Sequence, residues 1–106
     1  MYNEHKDGEI MYIWDENKNQ ANIKKHGVSF EEAQDVFDDV YSKMIADVEH
    51  SYNEERFIIL GKSKASNLLV VCHCYKEDGN VVRIISARKA NKPETKWYLG
   101  GVLYEE

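Results

Sequence analysis

From Ser42 onward, apolar residues alternate with polar residues in four short runs, at positions 43–48, 56–62, 67–75 and 81–88. A repeat of two residues places every second side chain on one face of a β-strand. The last two runs are joined by a polar segment, Glu-Asp-Gly-Asn, that is typical of the turn in a β-hairpin. The second half of the chain is therefore predicted to form an antiparallel sheet of three or four strands.

A different pattern precedes this sheet. Residues 9–14 form a β-prone run, and Asp15 directly after them can accept hydrogen bonds from the first turn of a helix. That helix is predicted to span about residues 16–25 and to end at Gly27, because glycine readily adopts the left-handed backbone conformation found at helix ends. One strand and one helix are therefore expected at the start of the domain.

Two further helices are predicted from capping residues and apolar spacing. Ser29 is a suitable cap, and Glu32 three residues later completes a reciprocal capping box. Behind this cap, apolar residues recur at helical spacing and form one buried stripe, at Phe30, Ala33, Val36 and Phe37. Near the end of the chain, Asn91 begins a closing helix with Pro93 in its first turn.

The order of these elements is that of an α+β fold. An N-terminal strand and two helices come before the antiparallel sheet, and a C-terminal helix comes after it. The chain has 106 residues, an ordinary size for one domain, and we assign residues 1–106 to a single domain. The two N-terminal helices are expected to cover one face of the sheet, which leaves the other face for a ligand or a partner.

Composition favours a cytoplasmic protein without a metal or cofactor. No apolar run approaches the roughly 20 residues needed to cross a bilayer, and the first residues lack the pattern of a secretory signal. Cys72 and Cys74 stand too close along a strand to form a mutual disulfide, and we expect them to pack in the core. The chain offers no second ligand cluster that could complete a zinc site with them.

The net charge of −5, taken as a total, counts against nucleic-acid binding, because phosphate contacts depend on Lys and Arg. The charge is unevenly distributed, however. Acidic residues are concentrated before residue 60, whereas basic residues dominate the later half, at Lys62, Lys64, Arg83, Arg88, Lys89, Lys92 and Lys96. A basic surface on an acidic protein is therefore compatible with the sequence.

The hairpin turn predicts the register of the last two strands. If the turn centres on residues 78–79, Tyr75 lies opposite Val82 and His73 lies close to Ile84. A slip of one residue would move every side chain to the other face, so this register decides which groups meet.

Simple alternation then places His73 on one face with Ser86 and Arg88, and these groups suit the cleavage of RNA without a metal. Arg88 would stabilise charge on the phosphoryl oxygens, because its planar fork of donors matches phosphate oxygens in pairs. His73 would carry the proton, since histidine titrates near neutrality. Lys62 or Arg83 would hold the substrate backbone.

Each of these side chains also has a purely structural explanation. A histidine in an apolar strand is often a hydrogen-bonded core residue, and Arg88 can simply pair with a carboxylate. Arg56, which could join the face from a neighbouring strand, can equally pair with Glu54 or Glu55. The basic residues at 24–26 are explained by favourable interaction with the C-terminal end of the helix dipole.

Several separated motifs resemble the BrnT family of bacterial toxins. The first half carries Trp-Asp-Glu-Asn-Lys at 14–18, Asn-Ile-Lys-Lys-His-Gly-Val-Ser-Phe-Glu-Glu-Ala at 22–33 and Val-Phe-Asp-Asp at 36–39. The second half carries Glu-Glu-Arg-Phe at 54–57 and Arg-Ile-Ile-Ser-Ala-Arg-Lys-Ala at 83–90. Because the motifs follow the family's order and spacing over most of the chain, the resemblance is specific.

The resemblance implies a RelE-like fold and a toxin of a type II toxin–antitoxin system. Such a toxin is a metal-independent endoribonuclease that inhibits translation and is neutralised by a BrnA-type antitoxin. The implied assembly is a dimer or a heterotetramer with the antitoxin, and operator DNA is bound only through that complex.

The resemblance also suggests residue roles. Arg88, the arginine of the Ser-Ala-Arg motif, is the first candidate catalytic residue, followed by Arg56 and Arg83. His73 is the candidate for proton transfer on residue chemistry, whereas the resemblance favours Lys62, Glu55 or the substrate itself. The candidates for contacts to the substrate are Lys62, Lys25 and Lys89.

Two other functions remain open from the sequence. A degenerate toxin would be a non-catalytic binding module that acts only in partner binding and operon autoregulation. The second of these functions is that of a metal-dependent hydrolase, which would require a bound metal.

Overall fold

The computed structural model describes residues 10–101 in full and residues 2–7 by their backbone. The strands and helices follow the order β1 Tyr2–Asp7, β2 Ile10–Asp15, α1 Glu16–His26, α2 Phe30–Gln34, β3 Lys43–Ala46, β4 Phe57–Lys62, β5 Leu68–Lys76, β6 Val81–Lys89 and α3 Lys92–Tyr98. Short 3-10 helices lie at Asp35–Asp38, Val48–His50 and Glu77–Gly79. Each predicted element is present; Glu9, where the first strand was predicted to begin, lies outside the described residues.

The sheet has the strand order β1-β2-β6-β5-β4-β3. Strands β3 to β6 form the predicted antiparallel meander, with Tyr75 opposite Val82 and His73 opposite Ile84 as predicted. The expectation of an antiparallel sheet is nevertheless wrong for the sheet as a whole, because β2 pairs with β6 in parallel. This pairing is possible because the helices and the meander between them supply the long crossover that parallel neighbours need. The added strand β1 was not predicted.

The helix ends follow the capping signals of the sequence. The Asp15 side chain accepts hydrogen bonds from two backbone N–H groups of α1, and Gly27 ends the helix at φ 71°. Ser29 caps α2 by accepting a hydrogen bond from the Glu32 N–H. The Glu32 carboxylate turns to the β4–β5 connection, where it accepts hydrogen bonds from two side chains there, Ser63 and Asn67. The glutamate of the predicted capping box therefore ties α2 to the sheet.

The hydrophobic core lies between α2 with its 3-10 extension and one face of the sheet. Its buried residues are Tyr12, Trp14, Val28, Phe30, Ala33, Val36, Ile59, Leu69, Val71, Val82, Ile84 and Ala87. Gly61 allows the 3-10 extension to lie close to β4, because a Cβ at this position would come within 3.1 Å of the Val36 Cβ and carbonyl oxygen. Helix α2 and its 3-10 extension therefore cover one face of the sheet, which we call the core face. We call the opposite face the outer face.

Asn22 connects α1 to the edge of β6. The parallel pairing of β2 with β6 reaches only Arg83, so the next part of β6 needs another partner. The Asn22 side-chain amide donates to the carbonyl oxygens of Ala87 and Val28, each at 2.8 Å, and accepts from the Ala87 N–H at 3.2 Å. This buried amide satisfies three backbone groups that would otherwise lack partners.

A β-bulge in β6 changes which residues share a face. Cys72 lies opposite Ser86, whereas the next residue, His73, lies opposite Ile84, so that Ile85 is the extra residue. Ile84, before the bulge, and Ala87, after it, both face the core although they are three residues apart. The alternation of faces along β6 is therefore shifted by one residue.

Helix α3 packs on the outer face. Asn91 and Glu94 form a reciprocal capping box at its start. The Lys43 ammonium group donates to the Trp97 carbonyl oxygen, and the Tyr98 hydroxyl donates to Asp39 at 2.6 Å. Of the helices in the described part of the chain, none has the length and apolar character that crossing a membrane requires.

Replacing Asn22 by Ala should destabilise the protein by about 3 kcal/mol, because three buried backbone groups lose their partner. Urea unfolding followed by circular dichroism measures the difference. Lys24→Ala, at an exposed position of the same helix, should change the stability by less than about 0.5 kcal/mol. Equal stability of Asn22→Ala and the unmodified protein would contradict the role given to this amide.

Candidate active site

A groove of about 710 Å³ lies on the outer face of the sheet. Its floor crosses four strands in register through Ile45, Ile58, Cys72 and Ser86. Its walls come from the C-terminal end of α1 and from the connection after β3. We call it the Arg88 groove, and the charged and polar side chains that line it are Lys25, His26, Asp47, Glu49, His50, Ser86 and Arg88.

Arg88 lies in this groove because the bulge turns it to the outer face. Its two Nη groups donate to the two carboxylate oxygens of Glu94, each at 2.8 Å, and one also donates to the Lys89 carbonyl oxygen at 3.3 Å. The hydrogen bonds with Glu94 raise the pKa of Arg88 and lower the pKa of Glu94. The ion pair is therefore charged on both sides and holds the guanidinium plane in a fixed orientation.

His50 and Asp47 form a second pair at the groove. The His50 Nδ1 lies 3.0 and 3.1 Å from the two carboxylate oxygens of Asp47. When Nδ1 carries the proton shared with Asp47, Nε2 is the nitrogen available for proton exchange.

Two cationic or titratable residues at the end of α1 face the same groove, Lys25 and His26. The sequence explained them by the helix dipole, and α1 does carry its basic residues in the last turn. Their position beside the groove follows from the docking of α1 against β6, which no local pattern indicates. The sequence did point to Lys25 as a substrate contact, but it did not single out His26, His50 or Asp47.

Cys72 forms part of the groove floor but is a poor nucleophile. Burial, followed by the nearby Asp47 carboxylate, raises the pKa of its thiol to about 11. The thiol is therefore protonated at neutral pH, and the thiolate is the reactive form. Cys72 and Cys74 are both free, and Cys74 is buried. The expectation that both pack in the core is wrong for Cys72, which is half-buried in the groove floor on the outer face.

His73 is on the other side of the sheet. Its side chain is fully buried in the core and lies close to the rings of Phe37, Phe57 and Tyr75. Nδ1 is 3.2 Å from the Val71 carbonyl oxygen and Nε2 is 3.2 Å from the Tyr75 hydroxyl. The expectation that His73 shares a face with Ser86 and Arg88 is wrong, because the bulge at Ile85 reverses the alternation between them.

Arg83 and Arg56 form a separate cluster around Glu54. The Glu54 carboxylate lies 2.5 Å from Arg83, 2.8 Å from Lys76 and 3.9 Å from Arg56. The hydrogen bond from Lys76, with support from the two arginines, lowers the pKa of Glu54. Arg56 therefore pairs with Glu54, which was one of the two partners that the sequence left open.

The remaining candidates do not line the groove. The Lys62 ammonium group lies 5.9 Å from the centroid of the Tyr98 ring, and its backbone N–H donates to Asp39. Lys89 is exposed at the end of β6. Of the residues proposed from the sequence for catalysis or substrate contact, the Arg88 groove thus contains Arg88 and Lys25.

Comparison with known proteins identifies the class. The model of the family described as "Ribonuclease toxin, BrnT, of type II toxin-antitoxin system" matches residues 14–94, which is most of the chain. The protein is therefore a ribonuclease toxin of the type II toxin–antitoxin class. Within that class, the chain belongs to the BrnT family.

A solved structure agrees with this fold. The crystal structure of the ribonuclease toxin BrnT of Brucella abortus is similar with a TM-score of 0.56 and 23% sequence identity. The match covers 74% of this chain and 94% of that chain. No curated protein matches the chain in sequence.

Burial of His73 should make stability depend on pH. Desolvation lowers the pKa of His73 from 6.5 to about 4, so the unfolded chain binds the proton more readily between these values. The stability present above pH 6.5 is therefore lost as the pH falls towards 4. By pH 4.5 the histidine should contribute a loss of about 2 kcal/mol.

Urea unfolding at pH 7 and pH 4.5 tests this linkage by comparison with His73→Phe, which keeps an aromatic ring but cannot titrate. The variant should lose about 2 kcal/mol less than the unmodified protein between the two pH values. An equal loss in both proteins would show that His73 is not buried in its neutral form.

Proposed function

We propose that the protein is a metal-independent endoribonuclease that cleaves RNA in the Arg88 groove. The observation that carries the proposal is that one groove contains Arg88, fixed by Glu94, and His50, paired with Asp47. A fixed cation and an oriented imidazole are the groups that phosphodiester cleavage needs when no metal takes part.

In this proposal Arg88 stabilises charge on the phosphoryl oxygens. A guanidinium has five N–H donors, of which Glu94 takes two and the Lys89 carbonyl takes one. The two that remain can donate to the phosphate while Glu94 keeps the guanidinium in place. Lys25, at the end of α1, adds a second positive charge near the substrate.

The imidazoles of His50 and His26 transfer the protons. One takes the proton of the ribose 2′-hydroxyl, whose oxygen forms a bond to phosphorus as the bond from phosphorus to the 5′-oxygen breaks. The other gives a proton to the leaving 5′-oxygen. The products are a 2′,3′-cyclic phosphate and a 5′-hydroxyl. We assign His73 to core packing, because its position on the core face is far from these groups in the fold.

The proposal extends to the role of the protein in the cell. Cleavage of RNA in the cytoplasm would inhibit translation, and a BrnA-type antitoxin would neutralise the toxin. The toxin–antitoxin complex, as a dimer or heterotetramer, would bind operator DNA through the antitoxin. The four-stranded meander, with α2 packed on one of its faces, supports a RelE-like assignment of the fold.

Arg88→Ala should lower the rate of RNA cleavage by at least about 100-fold, because a preorganised charge at the phosphate is lost. The purified protein is incubated with RNA in the presence of EDTA, and new 5′ ends are mapped. His50→Gln should lower the rate by about 100-fold or more, because a group that transfers a proton is lost. Induction in bacteria should arrest growth for the unmodified chain but not for Arg88→Ala or His50→Gln.

Lys64→Met is the matched control, since Lys64 is exposed in the β4–β5 connection and lies outside the groove. It should retain full activity. Intact RNA and normal growth with folded protein would favour the non-catalytic binding module. Cleavage that EDTA abolishes and a divalent metal restores would favour the metal-dependent hydrolase.

A further inference from the structure

Exposed apolar side chains are concentrated around the edge strand β3. Of the ten large apolar residues that are exposed in the described part of the chain, six lie within residues 40–52, which we call the β3 segment. These six residues are Val40, Tyr41, Met44, Ile45, Val48 and Tyr52. Apolar residues that are exposed together, rather than singly, mark a surface that another molecule covers.

The apolar side chains of β3 are exposed on both faces of the sheet. Met44 lies opposite Ile59 on the core face, and Ile45 lies opposite Ile58 on the outer face. Ile59 is buried in the core, whereas Met44 beside it is 45% exposed. The helical cover of the core face therefore ends before it reaches β3.

The edge of β3 that points away from β4 is open. Within the described residues, β3 is the last strand of the sheet and pairs with β4 alone. Directly after β3, the Asp47 N–H donates to the Arg56 carbonyl oxygen at 2.8 Å and continues the ladder with β4. Because backbone groups of an antiparallel strand point to the same neighbour at every second residue, those of Met44 and Ala46 point to the open edge. Two N–H and two C=O groups are thus available to a further strand.

The β3 segment also forms part of the Arg88 groove. Residues 45–50 line the groove in an unbroken run, and Val48 and Glu49 within this run are exposed. A chain added to the open edge would extend the outer face beside Ile45 and lie against this wall of the groove. Binding at β3 would therefore restrict the access of RNA to the groove.

The charge next to the open edge favours a basic partner. Residues 44–55 contain four carboxylates and no lysine or arginine. Asp47 and Glu54 have partners, but Glu49 and Glu55 are exposed and take part in none of the ion pairs between described residues. A second copy would bring together two chains with a net charge of −5, whereas a segment that carries lysine or arginine would be attracted.

We propose that an extended segment of the antitoxin adds to β3 as a further strand of the sheet and blocks the Arg88 groove. Family membership supplies the antitoxin as the partner, and the proposal rests on the proposed function for the role of the groove. The backbone of this segment pairs with Met44 and Ala46. Its apolar side chains pack beside Met44 on one face and Ile45 on the other, and a basic side chain meets Glu49.

Met44→Pro tests strand addition, because proline removes an N–H group at the open edge and no hydrogen bond to β4. Met44→Val is the matched control, since it keeps the N–H group and an apolar side chain. Calorimetry with the purified antitoxin encoded beside this chain gives the affinity, and circular dichroism checks that each variant is folded. Met44→Pro should weaken binding at least about tenfold, and Met44→Val by less than about threefold.

Amide hydrogen exchange tests the same surface without a substitution. The Met44 and Ala46 amides should exchange rapidly in the free protein and at least about 100-fold more slowly in the complex with the antitoxin. Unchanged exchange at these amides, or equal affinity of Met44→Pro and Met44→Val, would overturn the docking surface. A dimer of the free protein in sedimentation that Met44→Pro dissociates would assign the edge to a second copy and would also overturn it.

RNA cleavage separates this proposal from the proposed function. Without antitoxin, Met44→Pro should cleave RNA at the rate of the unmodified protein, since Met44 does not line the groove. Its inhibition should require at least about tenfold more antitoxin than that of Met44→Val. Cleavage that continues in the saturated complex would overturn the blocking of the groove. If no RNA is cleaved but Met44→Pro still loses antitoxin affinity, the proposed function fails and the docking surface stands.

Discussion

The buried side-chain amide of Asn22 takes the place of a neighbouring strand at the edge of β6. Strand β2 stops pairing with β6 at Arg83, and a bare strand edge inside the fold would leave backbone groups without partners. The amide supplies both a donor and an acceptor to Ala87, and its second N–H fixes the Val28 carbonyl. The helix α1 is thereby held beside β6, and its last turn brings Lys25 and His26 to the Arg88 groove.

The bulge at Ile85 decides which residues of β6 face the groove. One extra residue in β6 keeps Ile84 and Ala87 in the core while Ser86 and Arg88 face outward. Without it, the alternation would turn Arg88 towards the apolar core, where a charged guanidinium is costly to bury. The bulge therefore allows one strand to complete the core and to present a cation to the groove.

Carboxylates organise the basic residues of this acidic protein. Glu94 fixes the guanidinium of Arg88 and also caps α3, so the closing helix and the groove depend on one side chain. Glu54 gathers Arg56, Lys76 and Arg83 in the same way. Basic side chains are thus held together on the outer face of a chain whose net charge is −5.

The sequence by itself determined the helices and the strands from β2 onward, the capping residues, the hairpin register and the family. These features depend on residues within a few positions of one another, such as Asp15 before α1 or the turn that sets Tyr75 opposite Val82. It also pointed to Arg88, but it placed His73 beside that residue and did not single out His50.

Only the tertiary structure decided the parallel pairing of β2 with β6, the bulge in β6 and the meeting of α1 with the connection after β3 at one groove. Each depends on the packing of segments distant in sequence, such as Asn22 against Ala87, 65 positions apart. Local spacing therefore cannot predict these three features. The bulge is an example, because a strand accepts an extra residue where this improves the packing of the core that it faces.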